Sequence, residues 1–164
     1  MVHSIWEESP SVFNLERLLP LLPPDEQEKA KEEARTKALA VSNLETGLEI
    51  LLFLEKTAEA AELCFERRRE IKGDNFYTLK EMAERFESQS HLLAASLIFR
   101  ALLDSILARG YSRAYHHAAE YYEQLGRSSS RISDWRGEPD HQSYCAGLWY
   151  QHSRKHGFWS RVKR

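Results

Sequence analysis

With 164 residues, 42% of them hydrophobic and 29% charged, the chain can bury one core of ordinary size and has no room for two large independent ones. A net charge of -2 excludes a basic nucleic-acid arm or an acidic disordered tail as a description of the whole. Two cysteines, Cys64 and Cys145, are too few for a secreted disulfide scaffold, so the expected compartment is the reducing cytoplasm.

Met1 to Pro10, MVHSIWEESP, has no basic region leading into an apolar run and predicts no signal peptide. All five prolines, Pro10, Pro20, Pro23, Pro24 and Pro139, lie towards the ends, and the proline-free span between is rich in Ala, Leu, Glu, Lys and Arg. That composition favours helices, and no alternating β-branched run predicts a strand. Pro23-Pro24-Asp25 opens a helix, Asn43 and Asn75 stand where N-caps are wanted, and Gly73, Gly110 and Gly126 each follow a periodic stretch as C-terminal caps do. The spacing predicts helices over 11–19, 24–41, 44–56, 57–72, 76–88, 91–109, 112–125 and 140–156, with 127–138 a loop or a helical extension. The domain reading is a single all-helical unit: an N-terminal extension over 1–23, a helical array over 24–156, and an aromatic, basic tail over 157–164.

The most apolar stretch, His91 to Leu107, carries Arg100 and Asp104 at its centre and falls short of the roughly 20 residues a membrane span needs, so it predicts a buried helix and no membrane partner. A weak repeat accompanies it. Ala60-Ala61-Glu62-Leu63-Cys64-Phe65 recurs as Ala94-Ala95-Ser96-Leu97-Ile98-Phe99, 34 residues on. Small residues let two helices approach, and a large aromatic four positions later fills the next groove. The period is that of tetratricopeptide hairpins, and the fold expected is all-α: stacked antiparallel helical hairpins in a right-handed array of about seven helices.

Charge is uneven along the chain. Residues 1–90 carry 12 Lys and Arg against 19 Asp and Glu, whereas residues 91–164 carry 11 against 6. The late excess includes Arg154, Lys155, Arg161, Lys163 and Arg164, a polarity that can orient a partner.

Four groupings could carry chemistry. Arg100 and Asp104 sit one turn apart in an apolar helix, where a charge must be paired or face water. They predict either an ion pair with each other or a network in which Asp104 accepts from Tyr115, His116 or a backbone group. The run Tyr115-His116-His117-Ala118-Ala119-Glu120-Tyr121-Tyr122 puts aromatic groups on several sides of one helix, so that one face is core and another can line a groove. His141, Cys145, His152 and His156 fall on one helical stripe, yet the two i, i+4 pairs lie about 10 Å apart along the axis and cannot close on one ion. Flanked by Tyr144, Leu148 and Trp149, this stripe reads as a packing face, with no metal and no cofactor expected. Finally, Arg154-Lys155-His156-Gly157-Phe158-Trp159 mixes cations with rings; Phe158 and Trp159 are expected to dock back on the preceding helices while the cations stay solvated.

The residues Arg100-Ala101-Leu102-Leu103-Asp104, then Tyr115-x-His117-Ala118-Ala119, then His141-x-x-Tyr144-x-x-x-Leu148-x-x-x-His152-x-Arg154-Lys155-x-x-Phe158-Trp159, resemble an uncharacterised bacterial family. Its all-helical domain also occurs behind zinc-finger modules in larger proteins. The resemblance covers roughly residues 44 to 162. It implies the helical fold and implies that Asp104, His117, His152 and Trp159 act together, as core or as a site; it implies no activity. The zinc-binding cysteines of the larger proteins have no counterpart here.

The function expected is that of a non-catalytic helical-repeat domain binding a protein partner or itself. The rivals are a nucleic-acid-associated accessory domain using the basic, aromatic C-terminal third, and an enzyme with His116, His117, His152 and Asp104 in a cleft.

Overall fold

The computed structural model describes residues 6–162. Among them there is no strand, and the regular structure is helical throughout: α1 (Val12–Leu18), α2 (Pro24–Ala40), α3 (Leu44–Phe53), α4 (Thr57–Glu66), α5 (Phe76–Ser88), α6 (Leu92–Arg109), α7 (Tyr115–Ser129), α8 (His141–His152) and α9 (His156–Trp159). The chain divides into two compact units, the first ending at Glu70 and the second beginning at Ile71.

In the first unit the caps are those the sequence supplies. Ser11 and Asn43 each accept a hydrogen bond from a first-turn backbone N–H, of Asn14 and Thr46 respectively, and Pro24 opens α2. Helices α1, α2 and α4 pack around or beside α3, whose Leu48, Ile50 and Leu51 are fully buried. Trp6 and Leu15, from the stretch ahead of α2, belong to the same core. Cys64 behaves as a small core hydrophobe: burial pushes its thiol up to about 12, so it stays protonated and unreactive at neutral pH. Helix α4 ends at Glu66, short of the predicted 72, where the Arg67 side chain turns back to cap the carbonyls that follow α2. Its guanidinium donates to the carbonyls of Val41 at 2.8 Å and Ser42 at 2.6 Å, and pairs with Glu70.

In the second unit, α5, α6 and α7 form consecutive hairpins through short connections, which makes neighbours antiparallel. Helix α6 is buried on nearly all sides, including Leu102, Leu103 and Leu107, and ends on Gly110 in the left-handed region at φ 63°. Two predicted helices shift their bounds. Helix α7 begins at Tyr115 after a short 3-10 turn and runs through Gly126 to Ser129, and the predicted 140–156 helix stops at His152, with α9 starting afresh. Phe158, on α9, is fully buried against α7, where its ring meets Tyr115 and Tyr122 edge-on. Trp159 is half-buried and donates its indole N–H to the His152 carbonyl at 2.9 Å. Lys163 and Arg164 of the predicted basic tail lie outside the described residues.

Two helical glycines should respond to alanine with opposite sign. A Cβ on Gly47 would stand 2.6 Å from the Ala38 carbonyl oxygen, whereas one on Gly147 would meet nothing within 4 Å. Gly47→Ala should therefore lose about 1–3 kcal/mol through overpacking of α2 on α3. Gly147→Ala should gain about 0.5–1 kcal/mol from helix propensity. Urea unfolding of the two variants checks both signs.

Candidate functional site

The site with the densest chemistry lies in the second unit, where α6, the loop after α7 and the start of α8 meet. Arg100, on an apolar helix, is 6% exposed, so its charge must be compensated inside the protein. No ion pair joins it to Asp104. Instead its guanidinium lies over two rings, 4.7 Å from the centroid of Trp135 and 4.4 Å from that of Tyr144, and it donates one hydrogen bond to the Pro139 carbonyl at 2.8 Å. Its Nε and remaining terminal nitrogen have no hydrogen-bond partner among the described residues. Burial pulls the guanidinium below its ordinary range, and the nearby Tyr144, Glu138 and Asp104 oppose that shift.

Tyr144 reaches both residues of the Arg100/Asp104 pair. While its ring covers Arg100, its hydroxyl donates to Asp104 Oδ1 at 2.7 Å. This corrects the predicted partners: Asp104 accepts from neither Tyr115 nor His116. Tyr115 turns inward to Phe158, and His116 is exposed with its ring tilted against that of His117, centroids 3.9 Å apart. Asp104 keeps an edge open to solvent. The protein around it still raises its carboxyl above the usual range, against the lowering effects of Tyr144, His152 and Arg100. Burial and the adjacent Asp104 carboxylate hold the Tyr144 phenol well above its ordinary pKa, so it remains a hydrogen-bond donor at any physiological pH.

The loop that brings Trp135 and Pro139 to Arg100 is shaped by a tight turn. Glu138 N–H donates to the Trp135 carbonyl at 2.9 Å, and the central residues Arg136 and Gly137 both have positive φ, at 51° and 85°. Asp140 then caps α8 by accepting from Ser143 N–H at 2.8 Å, a bond that holds its carboxyl below the usual range. On α8 the inward side is His141, Tyr144, Cys145, Leu148 and His152, the i, i+3/i+4 set of one helical face, with Leu148 fully packed and the others half-buried. His141 approaches Cys145, with Nε2 3.5 Å from Sγ, and faces the Tyr122 ring. Among the described residues no three His, Cys, Asp or Glu side chains are placed to hold a metal ion, and His156 lies off this helix.

The other sequence candidates fall elsewhere in the unit. His117 packs on Phe76 at 5.2 Å and lies 3.7 Å from Glu120, so His116 and His117 form a group of their own, with neighbours different from those of Asp104 and His152. Arg154 is exposed, Lys155 precedes α9 as its N-cap, and Trp159 packs on Trp149 at 4.9 Å. Trp135 and Pro139 were not among the candidates. The signal was a lone tryptophan in an otherwise polar loop, which a folded chain seldom leaves in water.

Residues 4–161 match the model of a family of unknown function (DUF6880), and the chain belongs to that family. Comparison with curated proteins and with solved structures finds no match.

Removing Arg100 strips both rings of their cation, takes away the donor to the Pro139 carbonyl and leaves a void between the elements it joins. Arg100→Ala should cost roughly 3 kcal/mol, from two desolvated cation–ring contacts and the cavity left behind. Tyr144→Phe, which removes the bond to Asp104 and a longer one to the Arg100 carbonyl at 3.5 Å, should cost about 1.5–3 kcal/mol. Arg131→Ala, on the exposed loop, should stay within about 0.5 kcal/mol. Equal unfolding midpoints in urea for all three would contradict this account.

The two histidines on the inner face predict acid sensitivity. Burial, together with Arg100 for His141 and Lys155 for His152, lowers both imidazoles below 6.5. The unfolded chain takes up those protons first, so the stabilisation is present above pH 6.5 and is lost as pH falls towards the folded values. His141→Gln combined with His152→Gln should flatten the fall in melting temperature between about pH 7 and about pH 5. An unchanged slope would assign the acid sensitivity to other groups.

Proposed function

We propose that the chain is a non-catalytic interaction domain that binds a protein partner or a second copy of itself. The observation that carries this reading is the outer side of α8, where Trp149 is 47% and Tyr150 89% exposed, followed by the exposed Arg154. Tryptophan, tyrosine and arginine are the residues enriched where proteins meet and where binding energy concentrates. The cluster around Arg100 and Tyr144 supports the reading because it seats the inner side of α8 on α6 and so presents the aromatic side on a rigid element. A tetratricopeptide-like, right-handed stacking of the hairpins is the scaffold we infer, supported by the 34-residue recurrence and the short interhelical connections. The free thiols of Cys64 and Cys145 fit a cytoplasmic location. No described helix is long and apolar enough to cross a membrane.

A second reading rests on the same surface. Arg154, Lys155 and Arg161 beside exposed rings suit a nucleic-acid backbone with stacked bases. The test combines sedimentation velocity of the purified chain, crosslinking with mass spectrometry in cell extract, and titration with a fluorescent single-stranded oligonucleotide. Tyr150→Ala should leave the melting temperature unchanged and weaken self-association or the crosslinked partner's binding by about tenfold, a loss of about 1.4 kcal/mol. Oligonucleotide binding that falls steeply with salt and requires Arg154 would favour the second reading.

A further inference from the structure

A second polar site lies in a cleft of about 370 Å³ formed by α5, α6 and α7, apart from the α8 surface. Its walls carry Glu84 and Glu87 from α5 and Glu120, Tyr121 and Gln124 from α7. Tyr121 is 2% exposed, its ring stacks on Phe99 at 5.6 Å, and its hydroxyl has no hydrogen-bond partner among the described residues. Glu87 is in a similar position. One carboxylate oxygen accepts from the Gln124 amide, and the other is buried with no partner. A buried hydroxyl and a buried carboxylate oxygen are rarely left unpaired, because each forfeits its hydrogen bonds to water.

The cations on the rim do not resolve this. Lys80 lies 3.6 Å from Glu84, and Arg127 reaches Glu123 at 3.9 Å and the Gln124 side-chain oxygen. Glu120 has only the imidazole of His117 near it, 3.7 Å away and without a hydrogen bond from its Nδ1, among the described residues. Among the described residues, Glu87 is thus the wall's carboxylate whose one hydrogen-bond partner is a neutral amide. Burial, with Glu120 and Glu84 close by, keeps the Tyr121 phenol protonated, so its oxygen can accept from a donor brought by a ligand. The missing partner is therefore rich in donors and positively charged. A guanidinium offers five N–H groups in a planar fork and tolerates an aromatic wall such as that of Tyr121 and Phe99.

We propose that this cleft binds an alkylguanidinium group through Glu87 and Tyr121. The group would come either from a free small molecule or from an arginine side chain of a partner protein. The full-length chain is titrated calorimetrically with n-butylguanidinium, with N-acetyl-arginine amide, and with the neutral isostere n-butylurea. Saturable one-site binding is expected for at least one guanidinium compound, with n-butylurea at least about tenfold weaker, as befits loss of a hydrogen-bonded charge. Binding of n-butylguanidinium alone would identify a free small molecule as the source, and tighter binding of the blocked arginine would identify a partner side chain. Glu87→Gln should weaken binding by about tenfold or more. Tyr121→Phe should also weaken it while holding or raising the melting temperature, since it deletes an unpaired buried hydroxyl. The proposal is overturned if neither guanidinium compound saturates, if n-butylurea binds equally well, or if both variants bind like the wild type.

Discussion

The second unit depends on one desolvated positive charge. Arg100 is set by its place in the chain on the most apolar helix of the molecule, and α6 cannot be buried unless that charge finds compensation. The compensation comes from aromatic faces and not from a buried anion. Two rings at 4.4 and 4.7 Å present their negative faces to the guanidinium, each worth up to about 2 kcal/mol when water is excluded. This solution avoids burying a full carboxylate beside the arginine, whose desolvation can exceed the Coulombic return. Asp104 can then remain at the solvent edge and still serve the cluster through Tyr144.

That arrangement dictates what lies around it. Trp135 reaches Arg100 only because residues Arg136 and Gly137 reverse the chain in the left-handed region. Tyr144 reaches it only because Asp140 starts α8 at a fixed register, one helical turn before the tyrosine. Once Tyr144 is anchored, the period of the helix places Leu148 and His152 inward and leaves Trp149 and Tyr150 outward. The exposed aromatic side of α8 is in this sense a geometric consequence of where the charge on α6 is neutralised.

Much of the fold was legible in the sequence because it is local. Asn43 caps α3, Gly110 closes α6, and the proline-free span is helical, all through contacts within a few residues. The boundaries that moved did so for tertiary reasons. Arg67 leaves α4 to cap a carbonyl pair 25 and 26 residues away. Gly126 was read as a stop, but α7 continues through it, and a side chain there would come within 3.6 Å of His141. The burden on Arg100 and Asp104 was readable from hydropathy alone. Their partner was not, because Tyr144 lies 40 residues beyond Asp104 and reaches it only through the turn at Arg136 and Gly137. The family match runs over residues 4–161, a longer stretch than the resemblance read from residue 44 onward.

Among the described residues of this unit, buried polar atoms lack a hydrogen-bond partner at Arg100, at His117 Nδ1, and at Glu87 with Tyr121, and the first and last of these differ in kind. At Arg100 the unpartnered nitrogens belong to a cation already covered by two electron-rich rings, so the charge is compensated even where hydrogen bonds are missing. Such a cluster is closed, and it does its work by holding elements together. At Glu87 and Tyr121 the unpartnered atoms are an anionic oxygen and a hydroxyl next to further carboxylates, lining a cleft. The cleft's own cations, Lys80 and Arg127, stand on its rim against Glu84, Glu123 and Gln124 and make no hydrogen bond to these two atoms. A fold under selection for stability alone could relieve this strain with a phenylalanine and a glutamine at no steric expense. Polar residues that a fold does not need for its own packing are where a function acting through a ligand is to be sought.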